Sequence, residues 1–273
     1  MEIATVDGVE LEYEIRGAGE PVLLIHGALI ADAFFPLLDE PALVDHHQVI
    51  AYRRRGYGRS PRLTRPVTLG RQAADCRGLL GHLGIGRAHV VGHSFGGAIA
   101  LELATSRPDL VASLGLLEPA LILGSSGADY HESLRTGIQR YHEEGPEPVV
   151  EEMLRVRLGE DPRKALQPVL PGAFDQAVED AATTFEGEGP ALLDWEMGEA
   201  QLRSISQPAL VVLGERSRTL SPRFVETYEL LLDWLPDAVG YVLPDAAHGL
   251  QLQNPSGMAA ALADFLAHHR ATA

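Results

Sequence analysis

Residues 88–101 read AHVVGHSFGGAIAL, and this stretch decides the fold. Ala88–Val91 is a short, mostly apolar run of the kind buried on both faces of a sheet. Ala98–Ala104 is helical in pattern. Between them, Gly92-His93-Ser94-Phe95-Gly96 matches G-x-S-x-G, a sharp strand-to-helix turn. Such a turn forces its serine into a strained backbone conformation and points Oγ into the open. Gly92 and Gly96 leave room for close backbone packing. The helix N-terminus behind Ser94 adds positive potential where an oxyanion would form. A bare five-residue pattern also suits a structural turn. The strand-and-helix setting makes Ser94 a candidate nucleophile.

Similar apolar runs recur on either side. Pro21–Ile25, Gln48–Tyr52, Ala112–Leu117, Ala209–Gly214 and Val239–Leu243 read as buried strands. Met1–Val6 and Val9–Ile15 alternate around Asp7-Gly8 and read as a hairpin. Helical patterns lie between, at Leu69–Leu83, Gly96–Ser106, Pro222–Leu235 and Pro255–His268. Strands alternating with helices predict an α/β fold with a mostly parallel sheet wound on both faces. From about Gly124 to Arg203 no strand-like run occurs, and helical patches are split by Gly and Pro. This predicts residues 124–203 as a helical cap on a core made of 1–123 and 204–273. A chain of 273 residues accommodates such an insertion.

The net charge of −16 excludes the basic footprint that nucleic acids and anionic membranes require. Residues 143–199 hold 15 acids and 4 bases, a surplus of 11. The acidity therefore belongs mainly to the solvent face of the cap, and neutral substrates are expected over free acids. One cysteine, Cys76, rules out an internal disulfide. No apolar run is long enough to span a membrane, and the start lacks signal-peptide features. A cytoplasmic protein acting on a small molecule is the expectation. No His, Cys or Asp cluster has metal-ligand spacing, so neither metal nor cofactor is expected.

A serine hydroxyl needs an adjacent base. Among 11 histidines, His248 stands out. It follows the last strand-like run and the turn Pro244-Asp245-Ala246-Ala247, at the same sheet edge as Ser94. His26 reads as structural, and His93 as pointing away from the nucleophile. The imidazole in turn needs a carboxylate. Glu118 ends an otherwise apolar strand, an expensive place for an unpaired acid. It leads, with Glu215 as the alternative and a helix-capping role as the bland reading. The backbone N–H groups of Ala28 and Phe95 are candidate oxyanion donors. Leu29, Phe34 and Trp195 are candidate substrate contacts, although such residues are more often core. The run Arg53-Arg54-Arg55-Gly56-Tyr57-Gly58-Arg59-Ser60 reads as a tight turn after a strand rather than a phosphate site.

Together these residues resemble the α/β-hydrolase family. The resemblance rests on His26-Gly27, Arg55-Gly56-Tyr57-Gly58-Arg59-Ser60, Ser94 in its turn, and Pro244–His248 followed by Asn254-Pro255. It implies an eight-stranded, mostly parallel sheet with a helical cap after the sixth strand. Two positions depart from the family pattern. Arg53 stands where an Asp is usual, which puts a structural ion pair in doubt, and Ser217 stands at the usual acid site. An acid after the sixth strand is similar to some haloalkane dehalogenases and to zearalenone-type lactonases, and the lactonases pair it with serine. The implied function is a serine hydrolase cleaving a carboxylic ester or lactone of a bulky apolar small molecule. C–C hydrolysis or acyl transfer by the same residues, and a non-catalytic ligand receptor on the same fold, are the alternatives.

Overall fold

The computed structural model describes residues 1–60, 62–63 and 65–271. Eight strands form one sheet: β1 (Glu2–Val6), β2 (Val9–Arg16), β3 (Glu20–Ile25), β4 (His47–Tyr52), β5 (Ala88–His93), β6 (Val111–Leu117), β7 (Ala209–Gly214) and β8 (Ala238–Leu243). Their order is β1-β2-β4-β3-β5-β6-β7-β8. β1 and β2 are antiparallel, and β3 to β8 run parallel. The hairpin turns at Asp7-Gly8, both at positive φ, as the Asp-Gly pair predicts.

The parallel strands are apolar on both faces because both faces are covered. Along β3, Leu23 and Ile25 join one core cluster, while Val22 and Leu24 join another. Each such side chain contributes about 1.5–3 kcal/mol when fully buried. The first cluster is covered by α2 (Leu69–His82), α3 (Phe95–Ser106) and α10 (Pro222–Trp234). The second is covered by α1 (Pro41–Val44), α11 (Leu250–Gln253) and α12 (Pro255–Ala267). Start signals fix these helices: Thr68 caps α2 through its side chain, and Ser221 with Pro222 opens α10.

Between β6 and β7 the chain is helical: α4 (Gly127–Glu144), α5 (Pro146–Leu158), α6 (Pro162–Leu166), α7 (Ala173–Glu179), α8 (Gly189–Leu193) and α9 (Glu199–Arg203). A π-helical turn, Thr183–Glu188, precedes α8. Val149, Val150 and Leu154 of α5, Phe174 and Ala177 of α7, and Phe185 pack with Leu29, Ile30 and Ala33 of the loop after β3. This apolar contact seats the helical segment over the carboxyl edge of the sheet.

Candidate active site

The carboxyl ends of β3, β5, β6 and β8 converge on one edge, where parallel sheets bind ligands. Ser94 follows β5 and opens α3, with φ +52° and ψ −117°. Its N–H donates to the Leu117 carbonyl at 3.0 Å, and its own carbonyl accepts from Gly97 at 2.9 Å. A Cβ at Gly96 would collide with the Ile25 carbonyl, so only glycine lets α3 approach β3 this closely.

Ser94 Oγ lies 3.2 Å from His248 Nε2, and His248 Nδ1 lies 2.6 Å from Glu118 Oε2. The three side chains form one hydrogen-bonded line, with Nδ1–H donating to the carboxylate and Oγ–H donating to Nε2. Glu118 Oε1 accepts from the Gly214 N–H at 2.7 Å. Glu118 itself turns at φ +42°, directly past the end of β6. Burial raises its carboxyl above the ordinary range, and the Ser217 hydroxyl and Gly214 N–H oppose that shift. Desolvation holds His248 well below its ordinary value of 6.5, and the Arg157 and Arg223 cations act in the same direction. The imidazole is therefore neutral at neutral pH, the form that can take a proton.

Glu215 does not approach this line. Its carboxylate accepts from the Asp245 N–H at 3.0 Å on the exposed face. His93 does more than point away. Its Nε2–H donates to the His248 carbonyl at 2.8 Å, and its Nδ1 accepts from Gln251 at 3.2 Å. Its pKa is pushed down to about 3 by burial and by His248, so it stays neutral and fixes the His248 backbone. His26 is structural as expected: it donates to the Gly27 carbonyl and accepts from the Arg54 N–H.

The loop after β3 lies against Ser94. A Cβ on Gly27 would stand 3.1 Å from the Ser94 Cβ. The next residue, Ala28, makes no hydrogen bond through its N–H among the described residues. Phe95 is the first residue of α3, so its N–H has no intrahelical acceptor. Both donors are free beside Ser94.

The three expected substrate contacts lie elsewhere. Trp195 donates to Glu102 of α3 at 2.9 Å and packs on the core beneath the sheet. Phe34 is core, edge-on to His93. Leu29 is buried at φ +73° among the helical segment's apolar residues, its N–H donating to the Tyr57 hydroxyl. Each is a large apolar residue, but the apolar demand is met by the core.

Two cavities flank the site. A small one, about 30 Å³, is lined by Gly27, Ala28, His93, Ser94, Arg157 and His248 among others. A larger one, about 570 Å³, lies between α4, α5 and the start of α10. Its apolar wall includes Leu134, Ile138, Met153, Phe185 and Phe224. Arg157 lines both cavities, and the Phe224 ring lies 4.9 Å from the His248 ring. The wall residues Met153, Arg157, Arg223 and Phe224 carry no motif, so nothing in the sequence singled them out.

The arginine run after β4 is fully engaged. Arg53 forks onto Asp32 and reaches Glu12, replacing the ion pair that an Asp at this position would make. Arg55 forks onto Asp75. Arg54, 1% exposed, pairs with Glu188, also 1% exposed, and donates to Gln72 and to the His26 and Gly27 carbonyls. Gly56 and Gly58 hold positive φ, as the tight-turn reading requires.

This sheet order, with a serine at the strand-to-helix turn and a histidine beyond the last strand, defines an α/β-hydrolase fold. The chain belongs to the alpha/beta hydrolase family, whose model matches residues 22–261. A curated relative, the dihydrolipoyllysine-residue acetyltransferase component of an acetoin cleaving system from Pseudomonas putida, is 29% identical over 94% of this chain. The chain spans 66% of that relative's length. An esterase from Thermogutta terrifontis aligns at a TM-score of 0.80 and 26% identity, covering 98% of each chain. The enol-lactonase from Burkholderia xenovorans aligns at 0.83 and 24% identity, over 97% of this chain and 100% of its own. No described helix is long and apolar enough to cross a membrane.

Proposed function

We propose that this chain is a serine hydrolase of carboxylic esters or lactones, with residues 124–203 acting as a cap that closes the substrate cavity. The reading rests on one observation, the buried line from Ser94 Oγ through His248 to Glu118 at 3.2 and 2.6 Å. Ser94 Oγ attacks the carbonyl carbon while its proton passes to His248 Nε2. The Ala28 and Phe95 N–H groups hold the resulting oxyanion. The imidazolium, held by Glu118, gives that proton to the leaving alkoxide as the C–O bond breaks. Water then attacks the acyl-enzyme, losing a proton to Nε2, and the acid departs as Ser94 is reprotonated. The 570 Å³ cavity with its apolar wall suits a ring-sized apolar group on the substrate. The Thermogutta esterase, similar along its whole length, supports ester cleavage.

A fluorophosphonate probe with a panel of aryl esters and lactones tests this. Wild type is expected to be labelled at Ser94 and to turn over esters, and Ser94→Ala to lose both. Absence of labelling together with no turnover on any member would favour the receptor reading.

A further inference from the structure

Among the described residues, two arginines at the junction of the cavities have no ion-pair partner. Arg157, in the last turn of α5, makes one side-chain hydrogen bond, from Nη1 to the Met153 carbonyl of its own helix. That helix-end contact uses one of five guanidinium N–H donors. Arg223 lies between the Tyr130 and Phe224 rings, at 4.1 and 4.0 Å from their centroids. Its Nη1 is buried and has no hydrogen-bond partner. Among the described residues no carboxylate lies within 4.0 Å of either guanidinium, although most other arginines of the chain have one.

Several acids of the helical segment are held by other arginines. Glu151 holds Arg155, and Glu147 and Asp175 hold Arg163, on the outer face, while Glu144 and Glu152 neutralise Arg140 at the mouth of the large cavity. Asp129, Glu132 and Glu152 line the large cavity, but all three are exposed at its rim, and Glu152 is paired with Arg140. The unpaired charges at the inner end of the cavity, Arg157 and Arg223, are thus positive, and the acids stand at its exposed rim. Arg157 also shares the small cavity with Ser94 and His248.

We propose that Arg157 and Arg223 form a subsite for a carboxylate carried by the substrate, so that the preferred ester or lactone is an anion with an apolar body. This rests on the ester-hydrolase reading and fixes its substrate class. It also reverses the preference for neutral substrates expected from the chain's acidity, because the acids that reach the cavity stand at its exposed rim and the two arginines lie further in. The geometry favours an anion physically: a buried guanidinium donor left without an acceptor, as at Arg223 Nη1, is costly, and planar forks match carboxylates. Arg157 is pushed down to about 10 by burial, with Arg223 acting in the same direction, and a bound anion would relieve both. It would also offset the cations that depress His248, at the moment the imidazole accepts the Ser94 proton.

The test compares matched esters with and without a carboxylate: monophenyl adipate against phenyl hexanoate, and 4-acetoxybenzoate against phenyl acetate. Wild type is expected to prefer the anion in at least one pair by about 30-fold in kcat/KM. Arg157→Met and Arg223→Met should each cut that ratio by about tenfold or more, and Arg157→Lys by less. Arg163→Met, on the exposed face, should leave the ratio as it is. Titration calorimetry with phenylacetate and phenylacetamide supplies a readout that needs no turnover. Phenylacetate should bind more tightly, and Arg157→Met should remove the difference. Ser94-dependent turnover with no anion preference in either pair overturns the subsite and leaves the hydrolase reading standing. Loss of all turnover with selective phenylacetate binding retained does the reverse. Equal binding of acid and amide in wild type also overturns the subsite.

Discussion

Ser94, Glu118 and Leu29 share a backbone property: each is a non-glycine residue at positive φ, at +52°, +42° and +73°. Such conformations cost about 1–3 kcal/mol apiece and persist only where the surroundings impose them. Here the Leu117 carbonyl, the Gly214 N–H and the Tyr57 hydroxyl do so. Glu118 gains from its turn a carboxylate that accepts from both Gly214 and His248. Replacing it with Gln keeps the shape but presents a neutral group to the imidazolium. Glu118→Gln should lower kcat by about 10²–10⁴-fold with little change in KM. Glu215→Gln should stay within a few-fold of wild type, since the Glu215 carboxylate accepts from the exposed Asp245 N–H and lies off the Ser94–His248–Glu118 line. Steady-state kinetics on both variants decides, and the opposite ranking would reassign the acid.

At the level of elements, the π-helical turn Thr183–Glu188 docks on the loop after β4. Thr183 donates to the Gly56 carbonyl, the Thr184 and Tyr57 hydroxyls lie 3.1 Å apart, and Glu188 accepts from Tyr57 and pairs with Arg54. Arg54 also braces the His26 and Gly27 carbonyls, so one guanidinium ties the helical segment to the loop beside Ser94. Glu188→Gln leaves that guanidinium buried without its counter-charge. It should cost about 3–5 kcal/mol of stability in urea unfolding. A loss below about 1 kcal/mol would show that the pair does not hold the two parts together. Most strands and their boundaries were legible because their period and continuous apolar runs depend only on local sequence. The convergence of Ser94, His248 and Glu118 was legible because each follows a strand-like run, Ser94 and Glu118 directly and His248 after a short turn. Glu188, Arg157 and Arg223 were not. Their roles depend on which helix face packs inward, and Arg157 lies in a stretch whose acidic composition suggests the opposite charge. Trp195 misled because it falls in the connection between α8 and α9, which packs against α3 instead of over the cleft.

Over the whole molecule, buried histidines set the response to acid. His26, His89, His93 and His248 all have depressed pKa values, chiefly through desolvation. Each stays neutral in the fold and protonates on unfolding once the pH falls below 6.5. Their contribution is therefore fully present above 6.5 and is lost progressively below it, at up to ~1.4 kcal/mol per pH unit for each proton taken up. Asp180, raised to about 6, and Glu118, also raised, oppose this because they take up protons in the folded state first. Four histidines against two carboxylates leave a net loss. The urea midpoint should therefore fall between pH 7 and pH 5, and a flat or rising midpoint would contradict the burial of these imidazoles. Arg54 and Glu188, 134 residues apart, have a further consequence at this scale. They limit how freely the parts of the chain can be exchanged. A helical segment grafted from a relative onto this core must bring an acid to the place of Glu188, or the core must first surrender Arg54. The insertion and the nucleophile's neighbourhood are thus inherited as one unit, and recombination between them succeeds only when it carries both ends of the pair.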